Sequence, residues 1–288
     1  MIFLKTLLLG FLTGLTAFFP VSSAGTLVIG AHLLSVPLDH RLFKAMMLGI
    51  FLVLVFSFMN DLIRLFYSLT GIVRDLISNL KLYLGSRGAQ TDYVRILTGN
   101  YRNFLVMLLT ALIPLILLGL ILANAASAVF QNNLITGMMF FITAVILLVS
   151  SFMNVPEKGP RQMKYPEAVI MGVFSGFAFI PGLSKIAAVS SAGFLCGVSR
   201  KLTVKFSCLL SMFCLLLILL PGRIGSIFTA EVSTGIPGCI FGFAASFGAG
   251  MLMIRRAQKL ISKENNKIFA GCNVMLGMLA LLMQMLAR

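Results

Sequence analysis

Two apolar stretches, residues 2–34 and 168–198, each carry glycines, hydroxyl side chains and a central proline. Hydroxyl groups and the free backbone amides at a break in a helix bind anions, above all at a helix N-terminus. The candidate anion-binding hydroxyls are those of Thr13, Thr16, Ser22, Ser23, Thr26, Ser175 and Ser184. Lys185 is the only lysine or arginine of the second stretch. We expect it to contact the anion, although it could instead snorkel to a surface or pair with a backbone carbonyl.

The groups that usually catalyse hydrolysis lie elsewhere. All eight acidic residues fall in loops or at the edges of apolar stretches: Asp39, Asp61, Asp75, Asp92, Glu157, Glu167, Glu231 and Glu264. Hydrolysis of a phosphoanhydride usually needs carboxylates to hold a metal ion or activate water, so we expect no metal ligands here. Ser23 and Ser184 are weak candidates for a nucleophile, because each would need an adjacent base. His32 and His40 could titrate near neutral pH, but a structural role is the simpler interpretation.

The composition indicates the class of protein that positions these residues. Of 288 residues, 59% are hydrophobic and 11% are charged, against about 45–50% and about 25% in soluble domains. The mean hydropathy is +1.02. These values exclude a soluble enzyme, a disordered chain, a coiled coil and a nucleic-acid-binding domain, and they indicate a polytopic α-helical membrane protein. The net charge of +15 does not indicate nucleic acid, because the basic residues fall mostly between apolar stretches.

Six further stretches are apolar and long enough to cross a bilayer, which takes about 17–25 residues. They are residues 42–59, 103–123, 134–153, 204–220, 238–254 and 268–286. Basic connections alternate with almost neutral ones, and the positive-inside rule places the basic ones in the cytoplasm and both termini outside it. Residues 61–84 have an amphipathic helical period, which fits either a cytoplasmic helix lying on anionic lipid or a connector packed against the protein.

The two candidate stretches repeat each other. The matching positions are Gly10, Gly14 and Pro20 in the first and Gly172, Gly176 and Pro181 in the second. The second stretch lies between two basic segments, so it must enter and leave on one side as a re-entrant hairpin, while the first would enter from the outside. The predicted fold is therefore all-α, with two inverted-topology repeats over 1–153 and 154–288, each a re-entrant broken hairpin plus three transmembrane helices.

The chain resembles the undecaprenyl-diphosphate phosphatase family in two segments, GLTAFFPVSSAGTLVIGAHLL (residues 14–34) and PGLSKIAAVSSAGFLCGVSR (residues 181–200). The likeness extends over nearly the whole chain in length, span order and hairpin placement. It implies a multi-pass protein of the bacterial inner membrane with inverted repeats. Members of this family remove a phosphate from undecaprenyl diphosphate with the help of a divalent cation, which recycles the lipid carrier of cell-wall glycans.

The chain departs from the family where the resemblance implies catalytic groups. The family's two glutamates, its histidine and its arginine fall at Thr13, Ala17, Thr26 and Lys185. Three further motif positions also differ and are occupied by Ser175, Ile186 and Val189. Retained are Pro20, Ser22, Ser23, Gly25, Pro181, Gly182 and Ser184. Lysine holds a phosphate as a point charge, without arginine's planar fork.

We therefore expect a pseudoenzyme that binds, and by its inverted repeat is suited to translocate, a polyprenyl phosphate or diphosphate or another anionic lipid. The alternative is a working undecaprenyl-diphosphate phosphatase with altered catalytic residues, for which Mg²⁺ or Ca²⁺ would be the cofactor; otherwise no cofactor is expected. A scaffold for an active synthase or phosphatase is a third interpretation, with no sequence feature in its favour. The expected partners are membrane lipid and a second copy in a homodimer, and not nucleic acid.

Overall fold

The computed structural model describes residues 2–85, 93–130, 132–153, 156–220 and 235–286, and these residues form eleven helices and no strand. In chain order the helices are α1 (Ile2–Thr16), α2 (Ser23–Leu33), α3 (His40–Ser57), α4 (Met59–Gly85), α5 (Asn100–Phe130), α6 (Asn133–Phe152), α7 (Tyr165–Phe177), α8 (Lys185–Leu195), α9 (Arg200–Leu219), α10 (Gly235–Leu260) and α11 (Lys263–Leu286). The predicted all-α fold class is confirmed.

Within the described ranges, six helices are long and apolar enough to cross a membrane: α3, α5, α6, α9, α10 and α11. Each of them coincides with one of the six spans predicted from the sequence, so the protein is a multi-pass membrane protein. The bounds differ most at α5, which continues to Phe130 beyond the predicted span. Half of the residues from 123 to 130 are alanine, the strongest helix former, which explains the extension.

Each predicted hairpin is a pair of short helices joined by a break, α1 with α2 and α7 with α8. The outer ends of α7 and α8 lie together. Lys158 Nζ donates to Glu167 Oε1 at the start of α7 (2.5 Å) and to Cys196 O just after α8 (3.0 Å). The chain therefore turns back on itself between 165 and 195. The re-entry of the hairpins into a membrane, the inversion of one half relative to the other and the boundary at 153 stay predictions.

Glycines allow each hairpin to pack closely on a long helix from the other half of the chain. Gly10 and Gly14 of α1 face the backbone of α10, and Gly172 and Gly176 of α7 face α5. A Cβ atom at any of these positions would collide with the neighbouring helix. Small residues four apart let membrane helices approach in this way and gain van der Waals contact.

Helices α6 and α11 pack along each other and cross at two glycines. A Cβ atom at Gly137 would lie 3.1 Å from Gly277 O, and one at Gly277 would lie 3.1 Å from Gly137 O. Both α2 and α8 pack against α6. The α6–α11 pair therefore lies where it can position the inner ends of both hairpins.

Helix α4 turns its acidic side chains toward the protein. Asp61 accepts hydrogen bonds from Lys205 Nζ (2.8 Å) and from the Tyr101 hydroxyl (3.1 Å), and Asp75 pairs with Arg102 (2.5 Å). Its exposed apolar side chains include Phe66, Val73, Leu76, Ile77, Leu80 and Leu84. The two alternatives for this amphipathic segment, a helix on lipid and a packed connector, both stay predictions.

Candidate functional site

Both hairpin breaks end at serines that cap the following helix. Ser22 precedes α2, and its Oγ accepts a hydrogen bond from Gly25 N (3.2 Å). Ser184 precedes α8, and its Oγ accepts one from Ala187 N (3.2 Å). Both serines have the extended backbone of an N-cap residue. Each hairpin therefore brings a helix N-terminus, with its partial positive charge, into the buried interior.

The two breaks contact each other directly. Gly182 N donates to Ser22 Oγ over 3.0 Å. A Cβ atom at Gly25 would lie 2.9 Å from the same amide nitrogen and 2.6 Å from the Phe140 ring, so only glycine fits there. Gly182 has a φ of +95°, which favours glycine. We call this contact region, residues 20–23 and 181–185, the hairpin junction.

Two side chains from the long helices brace the hairpin junction. Thr143 Oγ1 of α6 has two acceptors for its one hydrogen, Gly182 O (3.0 Å) and Met139 O (2.9 Å) of its own helix, and it accepts from Ser184 N (3.3 Å). Asn273 Nδ2 of α11 donates to Pro20 O (2.9 Å). Each is the eleventh residue of its helix, and each binds the carbonyl two residues before a capping serine. Neither residue was predicted from the sequence, where each is only a polar residue within an apolar span.

Four of the hydroxyl candidates are buried. Ser22 and Ser184 are the capping residues. Thr13 and Ser175 are fully buried in α1 and α7, nine residues before the capping serines. Thr13 Oγ1 donates to the carbonyl of Leu9 in its own helix (2.7 Å), whereas Ser175 Oγ has no hydrogen-bond partner in the described part of the chain. The Thr13 hydroxyl therefore already has an acceptor, whereas Ser175 keeps an unused donor, and the anion-binding role of both stays a prediction.

The other three hydroxyl candidates are partly exposed and belong to the first hairpin. The Oγ1 atoms of Thr16 and Thr26 lie 2.9 Å apart and connect the end of α1 to the first turns of α2. Ser23 is the first residue of α2 and directly follows the cap. These three hydroxyls are the candidates that a ligand could reach without displacing a capping serine.

Lys185 is the first residue of α8 and is partly buried. Among the residues that the structure describes, its ammonium group has no hydrogen bond or ion pair. It lies within electrostatic range of Cys214 on α9. The structure therefore places Lys185 directly after the Ser184 cap, but it shows no direct contact between its ammonium group and the hydroxyls of the first hairpin.

The hairpin junction does not fit the divalent cation that the resemblance implies. Its polar side chains are hydroxyls and one ammonium, whereas Mg²⁺ and Ca²⁺ take carboxylate-rich oxygen ligands. No group of three or more His, Cys, Asp or Glu residues that could hold a metal ion occurs in the described ranges. Three acidic residues pair with basic side chains elsewhere: Asp61, Asp75 and Glu167. His32 is exposed near the end of α2, and His40 begins α3.

Nearly the whole chain matches one known protein family. The family model described as bacitracin resistance protein BacA matches residues 6–279. The chain belongs to this family. The match includes both hairpin breaks and the two bracing residues, Thr143 and Asn273. It confirms the resemblance that the two sequence segments indicated.

Relatives of the chain carry the name undecaprenyl-diphosphatase. The protein of Alkaliphilus metalliredigens is 28% identical over 292 residues, which cover 98% of each chain. That of Methanosphaera stadtmanae is 24% identical over 97% of each chain. That of Desulforapulum autotrophicum is 31% identical over 207 residues, 71% of each chain. Proteins with this name and of about this length therefore occur in several different organisms.

Proposed function

We propose that this protein binds the phosphate or diphosphate of a polyprenyl lipid at the hairpin junction and does not hydrolyse it efficiently. One observation carries the proposal: two capped helix N-termini meet at the junction beside Lys185, a cation that has no ion-pair partner in the described ranges. The substrate class comes from the relatives, whose name is undecaprenyl-diphosphatase.

Hydrogen-bond donors at the junction support anion binding. The Oγ atoms of Ser22 and Ser184 accept hydrogen bonds from backbone amides, so their own O–H groups are left to donate. The ammonium of Lys185 adds a full positive charge, which is costly to bury unless an anion compensates it. Charge-assisted hydrogen bonds of this kind are roughly twice as strong as neutral ones.

The side chains that replace the family's catalytic groups argue against efficient hydrolysis. Thr13 and Ala17 stand where the resemblance implies two glutamates, and the Thr13 hydroxyl is already hydrogen-bonded within α1. Without these carboxylates the junction offers no evident general base. Loss of a single acid–base group costs about 10²–10⁴-fold in rate, and the resemblance implies that several are replaced together.

A second candidate function is a working undecaprenyl-diphosphate phosphatase, which the names of the relatives favour. Ser23 would be its best nucleophile, because this serine is partly exposed and does not cap a helix. It would still need a base that the sequence analysis did not identify. Both candidate functions require binding of a polyprenyl diphosphate, but only the second predicts its hydrolysis.

Phosphate release from undecaprenyl diphosphate separates the two functions. Purified protein in lipid nanodiscs is assayed without metal, with Mg²⁺ and with Ca²⁺. We expect turnover near that of empty nanodiscs in all three conditions. Metal-dependent turnover well above this background, abolished by Lys185→Ala, would contradict the binding-only proposal and establish the phosphatase.

Affinity for undecaprenyl phosphate tests the anion site itself. Lys185→Ala should weaken binding by roughly 1.5–3 kcal/mol, the range of a hydrogen bond to a charged group. The unfolding midpoint without ligand should stay the same or rise, because a costly partly buried charge is removed. Arg161→Ala is the matched control, since Arg161 is an exposed cation away from the junction. Equal affinities of wild type and Lys185→Ala would show that Lys185 only snorkels to a surface.

We also propose that the protein resides in the inner membrane of a bacterium with both termini outside the cytoplasm. The alternation of basic and almost neutral connections supports this orientation. A cysteine added at either end, labelled with a membrane-impermeant reagent in intact cells, tests it. Labelling from the cytoplasmic side alone would contradict both the orientation and the inverted repeat.

A further inference from the structure

A cleft lined by basic side chains lies away from the hairpin junction, where α9 begins and α10 ends. Its volume is about 450 Å³. Its basic side chains are Arg200, Lys201, Lys205, Arg255 and Lys259. Phe58, between α3 and α4, and Val204 add apolar surface to the lining. We call it the basic cleft.

Hydrogen bonds fix one wall of the basic cleft. Arg200 Nε donates to Ile261 O (2.8 Å), and a terminal nitrogen of the same guanidinium donates to Lys259 O. The first residue of α9 therefore binds the carbonyls at the end of α10, where a helix has no hydrogen-bond donors of its own. This contact holds the two helix ends together, so the cleft is formed before any ligand enters it.

Positive charge in the basic cleft is only partly compensated. Asp61 pairs with Lys205, and Glu264 interacts electrostatically with Arg200. Three further cations have no ion pair in the described ranges: Lys201, Arg255 and Lys259. The positive-inside rule explains why basic residues collect on one side of a membrane, but it does not require them to converge on one cleft. Like charges brought together repel, so an anion between them is stabilising.

We propose that the basic cleft binds a phosphate-bearing anion, as the headgroup of an anionic membrane lipid presents it. Basic pockets between transmembrane helices on the cytoplasmic side bind such headgroups. The guanidinium of Arg255 offers a phosphate two parallel donors, and the apolar side chains of Phe58 and Val204 suit the start of an acyl chain. A soluble phosphate compound would offer the same charge without the chain. This site is separate from the hairpin junction and independent of its proposed function.

The test removes two cations from the basic cleft. Arg255→Gln/Lys259→Gln is compared with Arg161→Gln/Lys164→Gln, which removes the same charge from exposed positions elsewhere. Native mass spectrometry in detergent measures the affinity for phosphatidylglycerol, for phosphatidylcholine and for inorganic pyrophosphate. The cleft variant should bind phosphatidylglycerol at least about tenfold more weakly than wild type, the equivalent of one lost charged contact. The control should stay within about twofold of wild type.

Each outcome either distinguishes a lipid headgroup from a soluble phosphate compound or contradicts the proposed site. Loss of phosphatidylglycerol binding in the cleft variant, with phosphatidylcholine unchanged, supports a lipid headgroup. Loss of pyrophosphate binding without any preference for phosphatidylglycerol supports the same site with a soluble ligand. Equal losses in the cleft variant and the control would overturn the proposal, because net charge alone would then explain them. If the double variant fails to fold, Lys201→Gln repeats the test at an exposed side chain.

Discussion

The two hairpins share a backbone plan and differ in the side chains they bring to the junction. When the chain is aligned on the two capping serines, the first hairpin has Thr16 and Thr26 where the second has Ala178 and Ala188. The two threonines share a hydrogen bond, whereas the two alanines pack in one apolar cluster. The residue after the cap is serine in the first hairpin and Lys185 in the second. At these three positions the first hairpin therefore has hydroxyls where the second has two alanines and a charge, and the proposed anion site would draw on both hairpins.

The prolines explain why the contact between the breaks is one-sided. Gly182 lies two residues before its capping serine, and its N–H donates to Ser22. Pro20 holds the same place in the first break and has no N–H. The reciprocal bond to Ser184 therefore cannot form. Matching Pro20 with Pro181, as the sequence repeat suggests, hides this shift of one residue.

The largest difference between the breaks should appear at their glycines. Gly182→Ala should lower the free energy of unfolding by roughly 3–5 kcal/mol, because the positive φ disfavours any side chain and the new Cβ would strike the Thr136 carbonyl. Gly25→Ala should cost about 1–3 kcal/mol, because its Cβ would press on the Phe140 ring and the Gly182 amide but its φ is not positive. Denaturation of purified protein in detergent measures both. Gly271→Ala, with open space around it, is the control, and a Gly182→Ala protein as stable as that control would contradict the prediction.

The two capping serines should differ in the opposite direction, with the larger loss of stability in the first break. Ser22→Ala removes the acceptor of two amides and leaves the buried Gly182 N–H without a partner, so we expect a loss of roughly 2–3 kcal/mol. Ser184→Ala removes one cap and should cost about 1 kcal/mol. The same denaturation experiment compares them. Equal losses would mean that the bond between the hairpins contributes nothing to stability.

The two braces provide a third comparison. Thr143→Val removes two hydrogen bonds to the second break and should cost about 1–2 kcal/mol. Asn273→Leu removes one bond to Pro20 and also an amide oxygen that has no partner in the described part of the chain, so its cost should stay below about 1 kcal/mol. Unfolding of the double variant alongside the singles shows whether the effects add. A larger loss of stability for Asn273→Leu than for Thr143→Val would contradict this prediction, because the first break would then depend more on its brace than the second.

The smallest effect on stability should come from the threonine pair. Thr16→Ala/Thr26→Ala gives the first hairpin the alanines of the second and should cost about 0.5 kcal/mol, since the pair is partly exposed. If these hydroxyls help to hold the ligand, affinity for undecaprenyl phosphate falls while the unfolding midpoint hardly moves. Unchanged affinity, measured in nanodiscs, would limit the anion site to the second hairpin and the caps.

Local rules explain which parts of this arrangement were predictable. The six spans follow from apolar length, because a backbone in lipid must satisfy its own hydrogen bonds as a helix. Ser22 and Ser184 follow from the preference for serine before a helix. Thr143 and Asn273 were not predictable, since their role depends on the register of α6 and α11 against breaks far away in the chain. That register depends on contacts such as the one between Gly137 and Gly277. The residues close to either glycine in the sequence do not indicate this contact.

The brace from Asn273 to Pro20 joins residues 253 positions apart, and this has a consequence for synthesis. A membrane protein is inserted from its N-terminus onward, and contacts between distant parts form only when both have emerged. The first hairpin is made long before α11, yet its break is not braced until α11 has left the ribosome. Chains that stop before α11 should therefore expose an unfinished first hairpin to the cell's quality control.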